Sequence, residues 1–341
     1  LSHTVTLQPF GVSFDCAEGE TILSAALRNG ISLRYGCKHG NCGSCKAQIA
    51  EGEVDQAHAS EVALMQFERN QGLALLCAAV PEEDIVIELA DDYTEEELSS
   101  APPIGDYKAR VVAVEALTHD IMRLELKLQQ PDFMRFNAGQ FVEINVPGTD
   151  AWRAFSMANP PSEPDRVVLM IKLLPGGAVS GYLRERARPG DPLNVRGPYG
   201  QFSVAPGVAP IIMVAGGSGM APILSMLNEL AEQRTTRPIR FYFGARALRD
   251  LFLTEEIAAL GRRLPDFRYV PALSAPEPGD RWDGETGLIT EVLQRHSGNL
   301  RGSEAYLCGP TPMIDAAVEV LKAKGMFSTR IRFDKFVSTA G

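Results

Sequence analysis

The sequence predicts a multi-domain α+β and α/β protein, and three observations carry that expectation. Four of the six cysteines fall within one front segment, the middle of the chain reads as short strands divided by turn residues, and the last third alternates strand with helix. At 341 residues the chain exceeds one ordinary core, and roughly 100–200 residues per domain allows two or three domains. Its 45% hydrophobic content is that of a globular protein. No apolar run approaches the roughly 20 residues that a membrane helix needs. Residues 1–10 alternate as a strand does and lack the pattern of an export signal, so a cytoplasmic, membrane-free protein is expected. The formal charge of −10 argues against nucleic-acid binding. Its distribution is uneven. Residues 1–90 hold 12 acidic and 5 basic side chains, residues 91–100 five acids and no base, and the remainder 26 acids against 28 bases.

A reducing compartment opposes structural disulfides, which leaves the cysteines for other chemistry. Cys37, Cys42 and Cys45, with Cys77 some thirty residues on, have the plant-type spacing for a [2Fe–2S] cluster. The four-residue gap lets Lys38-His39-Gly40-Asn41 wrap one face of the cluster, with main-chain N–H groups aimed at sulfur, and Gly36, Gly40 and Gly43 suit that close approach. Structural zinc usually takes two short pairs of ligands, whereas the second half here is a single cysteine. A Rieske centre needs two histidine ligands, so His39 is read as a loop residue. Cys16 lies in an alternating strand and reads as a buried free thiol. A hairpin from residues 4–7 and 11–15, a helix over 21–29, a strand over 48–54 and a closing strand over 85–89 predict a small β-grasp domain over residues 1–92. Residues 93–105, charged and ending in a proline pair, read as a linker.

Residues 106–206 predict an antiparallel β-barrel, with strands over 109–116, 122–128, 140–146 and 167–173. Arg153-Ala154-Phe155-Ser156 is its most telling segment. An arginine offers a diphosphate a forked donor, an aromatic offers a flavin ring a flat contact, and a hydroxyl can bond near flavin N5. Pro175-Gly176-Gly177-Ala178-Val179-Ser180 follows a strand and opens a helix, where main-chain amides suit a phosphate; an ordinary glycine turn with Ser180 as N-cap is the other reading. Residues 207–341 predict a parallel sheet with helices. The continuous apolar run 211–214 should be buried on both faces, and it leads into Gly216-Gly217-Ser218-Gly219 at the edge where open α/β sheets bind ligands. That turn is not the GxGxxG fingerprint. Further strands are expected over 239–243, 267–272, 305–307 and 330–333. Cys308-Gly309-Pro310 ends one of them, and Cys308 is either a small buried residue or one that faces a nicotinamide.

With these segments in place, the whole chain resembles the NAD(P)H reductases of bacterial oxygenases, within the ferredoxin–NADP+ reductase superfamily. It is most similar to the reductase components of multicomponent phenol hydroxylases, which are soluble diiron monooxygenase systems. The motifs that carry the likeness are Tyr35-Gly36-Cys37-Lys38-His39-Gly40-Asn41-Cys42, Arg153-Ala154-Phe155-Ser156-Met157-Ala158-Asn159, Gly197-Pro198-Tyr199-Gly200-Gln201-Phe202, Gly216-Gly217-Ser218-Gly219 and Tyr306-Leu307-Cys308-Gly309-Pro310. The resemblance implies FAD as the flavin, held by Arg153, Phe155 and Ser156, with Lys172, Gly177 and Ser180 also at the cofactor. It implies NADH, with NADPH as a possible second donor, on Gly216, Gly217, Gly219, Gly309 and Pro310. Phe336 is the expected aromatic on the flavin face, although Val337 stands where relatives often carry a second aromatic. Ser156 and Cys308 are expected beside the point of hydride transfer.

The resemblance implies a monomer that passes electrons to an oxygenase (hydroxylase) component in aromatic hydrocarbon catabolism. A reductase of a Rieske-type dioxygenase uses the same three modules. A redox-sensing regulator would need an output module, and no DNA-binding motif or basic patch is present. Between the arginines Arg246 and Arg249 and the acid Asp250, just after the 239–243 strand, the sequence leaves the reading of the ribose 2′ position open, and NADH is expected from the resemblance.

Overall fold

The computed structural model describes residues 2–99 and 104–336, which fold as two units divided between Ile104 and Gly105. Alternation of inward apolar side chains builds the first unit. Strand β1 (Ser2–Gln8) buries Val5 and Leu7, its hairpin partner β2 (Val12–Ala17) buries Phe14 and Cys16, and the expected hairpin register is present, Val5 opposite Phe14. Helix α1 (Ile22–Arg28) starts where the Thr21 side chain accepts from Ser24 N and buries Ile22, Leu23, Ala25 and Ala26. The rest comprises β3 (Lys46–Glu51), β4 (Val54–Asp55), helix α2 (Gln66–Asn70), β5 (Leu73–Leu75), β6 (Val80–Pro81), β7 (Ile85–Glu88) and helix α3 (Glu95–Ser99). The main sheet has the order β2-β1-β7-β3-β5, with β1 and β7 parallel. The last strand is thus central, not marginal. The strand expected over 48–54 breaks at Gly52, whose left-handed backbone (φ +88°) turns the chain from β3 into β4.

The stretch read as a linker from residue 93 is in part ordered structure of this unit. Leu98 is buried, the Ser32 N–H donates to its carbonyl, and Arg34 pairs with Asp92 at 2.7 Å and Glu97 at 2.6 Å. The Arg34 guanidinium also lies 4.0 Å from the Tyr93 ring centroid, and the Arg34 N–H donates to the Tyr93 hydroxyl. Local composition suggested a free tether because those partners lie some sixty residues from Arg34.

The second unit begins with an antiparallel barrel: β8 (Gly105–Ala116), β9 (Ile121–Gln130), β10 (Phe141–Asn145), β11 (Trp152–Ser156), β12 (Arg166–Lys172) and β13 (Pro192–Tyr199), in the order β11-β10-β13-β8-β9-β12. Its seam is narrow. After pairing with β10 through Ser156, the chain changes partner: Met157 bridges Leu169, and the Ala158 N–H donates to the Val168 carbonyl at 2.7 Å. Helix α4 (Ala178–Gly181) runs into a π-turn over Tyr182–Arg186.

A parallel sheet follows, from β14 (Ile211–Gly216), β15 (Ile239–Ala245), β16 (Phe267–Leu273), β17 (Glu285–Thr286), β18 (Glu304–Pro310) and β19 (Ile331–Phe336), in the order β17-β16-β15-β14-β18-β19. All of β14 is buried, as its unbroken apolar run demands. Ile211 and Met213 pack with helices α5 (Met220–Glu232) and α6 (Thr254–Gly261) on one face; Ile212 and Val214 pack with α7 (Ile289–His296) and α8 (Thr311–Ala323) on the other. No helix among the described residues is long and apolar enough to cross a membrane.

Candidate functional site

The first site is the loop between α1 and β3. Cys37, Cys42, Cys45 and Cys77 come together there, the first two half-buried and the last two buried. Main-chain donors converge on their sulfurs: Cys37 N on Cys42 Sγ at 3.3 Å, Gly40 N on Cys77 Sγ at 3.2 Å, and His39 N and Asn41 N on Cys37 Sγ at 3.4 Å. Gly40 is left-handed (φ +72°), and a Cβ there would stand 3.0 Å from the His58 carbonyl oxygen. The chain can wrap the sulfurs this closely only without a side chain at that point. The neighbouring Cys37 thiol, then burial, push Cys42 far above an ordinary thiol. Four thiols gathered in one loop region, with main-chain N–H groups aimed at their sulfurs, are a donor set that fits an iron–sulfur cluster.

The second site lies where β14 and β18 end side by side. Because β15 continues the sheet on one side of β14 and β18 on the other, their carboxyl ends flank the switch point at which open α/β sheets hold ligands. The turn Gly217–Gly219 nests on the turn that follows Cys308. A Cβ at Gly219 would lie 2.2 Å from the Cys308 carbonyl oxygen and 2.5 Å from its carbon, so a glycine is required by main chain, not by a movable side chain. Cys308 itself is fully buried, and burial, then Asp334, raise its thiol well above the ordinary value; it is a neutral thiol here. Phe336 pairs in register with Pro310 and packs on the same cluster of buried residues as Cys308.

That cluster also includes Ala158 from the barrel seam, and β12 touches the Gly217–Gly219 turn, so the seam and the nucleotide turns converge. Ser156 is buried at the seam, with no hydrogen bond to its hydroxyl among the described residues. Phe155 is half-buried on the barrel core. Arg153 is exposed, its guanidinium donating among the described residues to the Trp152 carbonyl. Further along, a cavity of ≈ 430 Å³ is lined by residues that include Leu174, Gly177, Ser180 and Tyr182, with Arg184 and Arg186 against Glu185. The Ser180 hydroxyl accepts from Leu174 N at 2.8 Å, which makes it a brace for this loop and leaves main-chain N–H groups and arginines as the anion donors. Lys172 lies apart from that cavity's lining and pairs with Asp120 at 3.3 Å. An open hydroxyl, a half-buried aromatic, an exposed guanidinium and a basic cavity form a donor set that fits a flavin dinucleotide.

Several residues are committed to contacts that the local sequence does not show. Asp250 accepts from Ala247 N at 2.9 Å and faces His119 Nδ1 of the barrel at 3.3 Å; it is occupied, while Arg249 pairs with Glu277 and Arg246 is exposed. Arg237, almost fully buried, donates to the Ala205 and Ala209 carbonyls and pairs with Glu304 at 3.0 Å, and Tyr306 donates to the same carboxylate at 2.8 Å. These bonds fasten the connection between barrel and sheet. The partners of Arg237 are 28 to 67 residues away, beyond any spacing rule.

Together the sites define an NAD(P)H-dependent flavin and iron–sulfur oxidoreductase. Family models agree: a 2Fe-2S iron-sulfur cluster binding domain matches residues 5–82, an oxidoreductase FAD-binding domain residues 108–204, and an oxidoreductase NAD-binding domain residues 213–319. The chain belongs to the reductase components of bacterial multicomponent monooxygenases. It is 41% identical to the phenol 2-monooxygenase reductase component DmpP of Pseudomonas sp. (strain CF600), over 100% of this chain and 96% of that one. It is 40% identical to the propane 2-monooxygenase reductase component of Rhodococcus jostii (strain RHA1), over 99% and 92%. Among solved structures, the Amycolatopsis cytochrome P450 reductase GcoB is 33% identical with a TM-score of 0.87, over 98% of each chain.

Proposed function

We propose that this chain draws electrons from NADH and delivers them to the hydroxylase of a soluble diiron monooxygenase acting on an aromatic substrate. What carries this reading is the end-to-end likeness to a phenol 2-monooxygenase reductase, with the four-thiol loop and the paired nucleotide turns both intact. When bound, FAD takes two electrons as hydride and parts with them singly to a one-electron cluster. The chain's own groups hold and orient. Gly216, Gly217, Gly219, Gly309 and Pro310 form the main-chain cradle for the dinucleotide, and the buried Cys308 fixes the floor beneath it. Arg153 supplies a forked donor for a diphosphate, Phe155 a flat contact, and Ser156 a hydroxyl free to bond a ring nitrogen. The amides after Gly177 line the cavity as phosphate donors, while the Gly177 N–H is spent on the Leu174 carbonyl and Ser180 braces the loop. Phe336 closes the far side.

For the donor, Asp250 is committed to Ala247 and His119, so discrimination at the ribose 2′ position falls to Arg246, the exposed cation after β15. NADH remains the proposed donor by likeness, and Arg246 accounts for NADPH as a weaker one. A specificity constant higher for NADPH would overturn this. The function itself is tested by reductive titration followed by reconstitution. The full chain should take up about three electrons, two on flavin and one on the cluster. It should then support turnover with a diiron phenol hydroxylase and not with a Rieske dioxygenase; the opposite pattern would refute the choice of partner.

A further inference from the structure

The segment between β4 and β5 does two things at once. It packs against the cluster loop and it presents large apolar side chains to solvent. Val62 is 86% exposed, Met65 51% and Phe67 58%, although Leu64 between them is fully buried. Scattered single exposed hydrophobics need no explanation, but three within six residues make a patch.

The patch is rigid and tied to the cysteines from two sides. The Ser60 N–H donates to the Gly40 carbonyl at 3.0 Å, and the Ala63 carbonyl oxygen lies 3.6 Å from where a Cβ of Gly43 would be. Glu68 accepts from Met65 N at 2.8 Å and from Lys46, the residue after Cys45, at 2.6 Å. Arg69 grips the Gln56 and Ala59 carbonyls at 3.1 and 2.8 Å. An anchored apolar surface loses little conformational freedom when covered, which is the property of an energetic centre in an interface. Its surroundings are acidic: Glu61 is exposed beside Val62, and Glu51, Glu53 and Asp55 are exposed on the strand turn that leads into the segment.

We infer that Val62, Met65 and Phe67 are the apolar centre of the surface on which the oxygenase component docks to receive electrons, and that the oxygenase meets it with an apolar recess rimmed by basic residues. The inference rests on the proposed function and deepens it. Two facts select this occupant. Electrons must leave close to the four cysteines, and this is the exposed apolar surface fastened to their loop. The net acidity of residues 1–90 calls for a basic counterpart, with charge setting encounter and apolar burial setting residence.

The test uses the full, cofactor-loaded chain with Val62→Ser, Met65→Gln and Phe67→Ser combined, all surface changes that leave Leu64, Glu68 and Arg69 in place. Equilibrium binding to the diiron oxygenase should weaken on the order of tenfold or more, chiefly through faster dissociation. The dependence of association on salt should keep its wild-type slope, because no charge has changed. NADH reduction of flavin and onward transfer to the cluster should be as in wild type. Affinity within twofold of wild type would overturn the inference. So would slowed flavin-to-cluster transfer in the variant, which would assign the patch to exchange within the chain. If wild type itself fails to bind or reduce the oxygenase, it is the choice of partner that fails.

Discussion

The two redox regions of this chain hold their groups by different means. In the front unit the proposed holding groups are four side-chain sulfurs, at fixed spacing along one loop and one later strand end. In the second unit main chain does it, through two turns so close that Gly219 nearly touches the Cys308 carbonyl. A side-chain site is written in residue identity and spacing; a main-chain site shows only as missing side chains. That is why the four cysteines that come together could be singled out from sequence alone, whereas the glycines indicated a turn without saying what it presses against.

The largest expected effect separates the two regions outright. Replacing Cys42 by Ser should abolish the cluster's absorption and stop reduction of the oxygenase, while flavin reduction by NADH continues at close to the wild-type rate. Loss of both by stopped-flow and spectral analysis would show that the regions are not separable. The converse is Gly219→Ala, in which a methyl meets fixed main chain. Overpacking of that kind costs about 1–3 kcal/mol, and the cost should fall on NADH affinity and flavin reduction, with the cluster spectrum retained. Tight NADH binding in this variant would mean that the turns do not form the cradle.

Stability should divide along the same line. Arg237→Met leaves the buried Glu304 carboxylate with the Tyr306 hydroxyl and an Arg330 guanidinium 3.9 Å away, and loss of its close charged partner should cost about 3 kcal/mol. Calorimetry should show the second unit melting earlier and the first unit unmoved. The smallest effect belongs to Glu20 in the first unit. The Arg28 hydrogen bond, outweighing burial and helped by the Ala17 N–H, holds its carboxyl below the usual 4.5. A depressed carboxyl adds stability above its unfolded pKa and loses it as pH falls through the folded value. Glu20→Gln should therefore cost less than about 1 kcal/mol at pH 7 and nothing once Glu20 is protonated in both folded and unfolded wild type in strong acid. A gap between the two proteins that persists in acid would point to a neutral hydrogen bond instead.

Much of the architecture was legible because it depends on local pattern: the first hairpin, the helix expected over 21–29, the doubly buried strand β14 and the cysteine loop. What sequence did not reveal depends on contacts between distant residues. Arg34 looks like a surface cation until Asp92, Tyr93 and Glu97 fold back onto it, which turns the start of an expected linker into part of the first unit. Asp250 looks available to a ribose until His119 arrives from the barrel. Ser180 looks like a phosphate ligand or a cap until its hydroxyl is found bracing Leu174. In each case the residue type was informative and the partner decided its use.

The narrow seam of the barrel has a thermodynamic consequence. The segment that carries Arg153, Phe155 and Ser156 is the same one that, two residues later, changes partner and closes the barrel through Met157 and Ala158. Any ligand that grips the first three residues also holds the last fastening shut, so by mass action it draws the open barrel toward the closed one. Flavin loading should then register as a rise in melting temperature that grows with flavin concentration, making the cofactor a structural member of the barrel as well as its cargo.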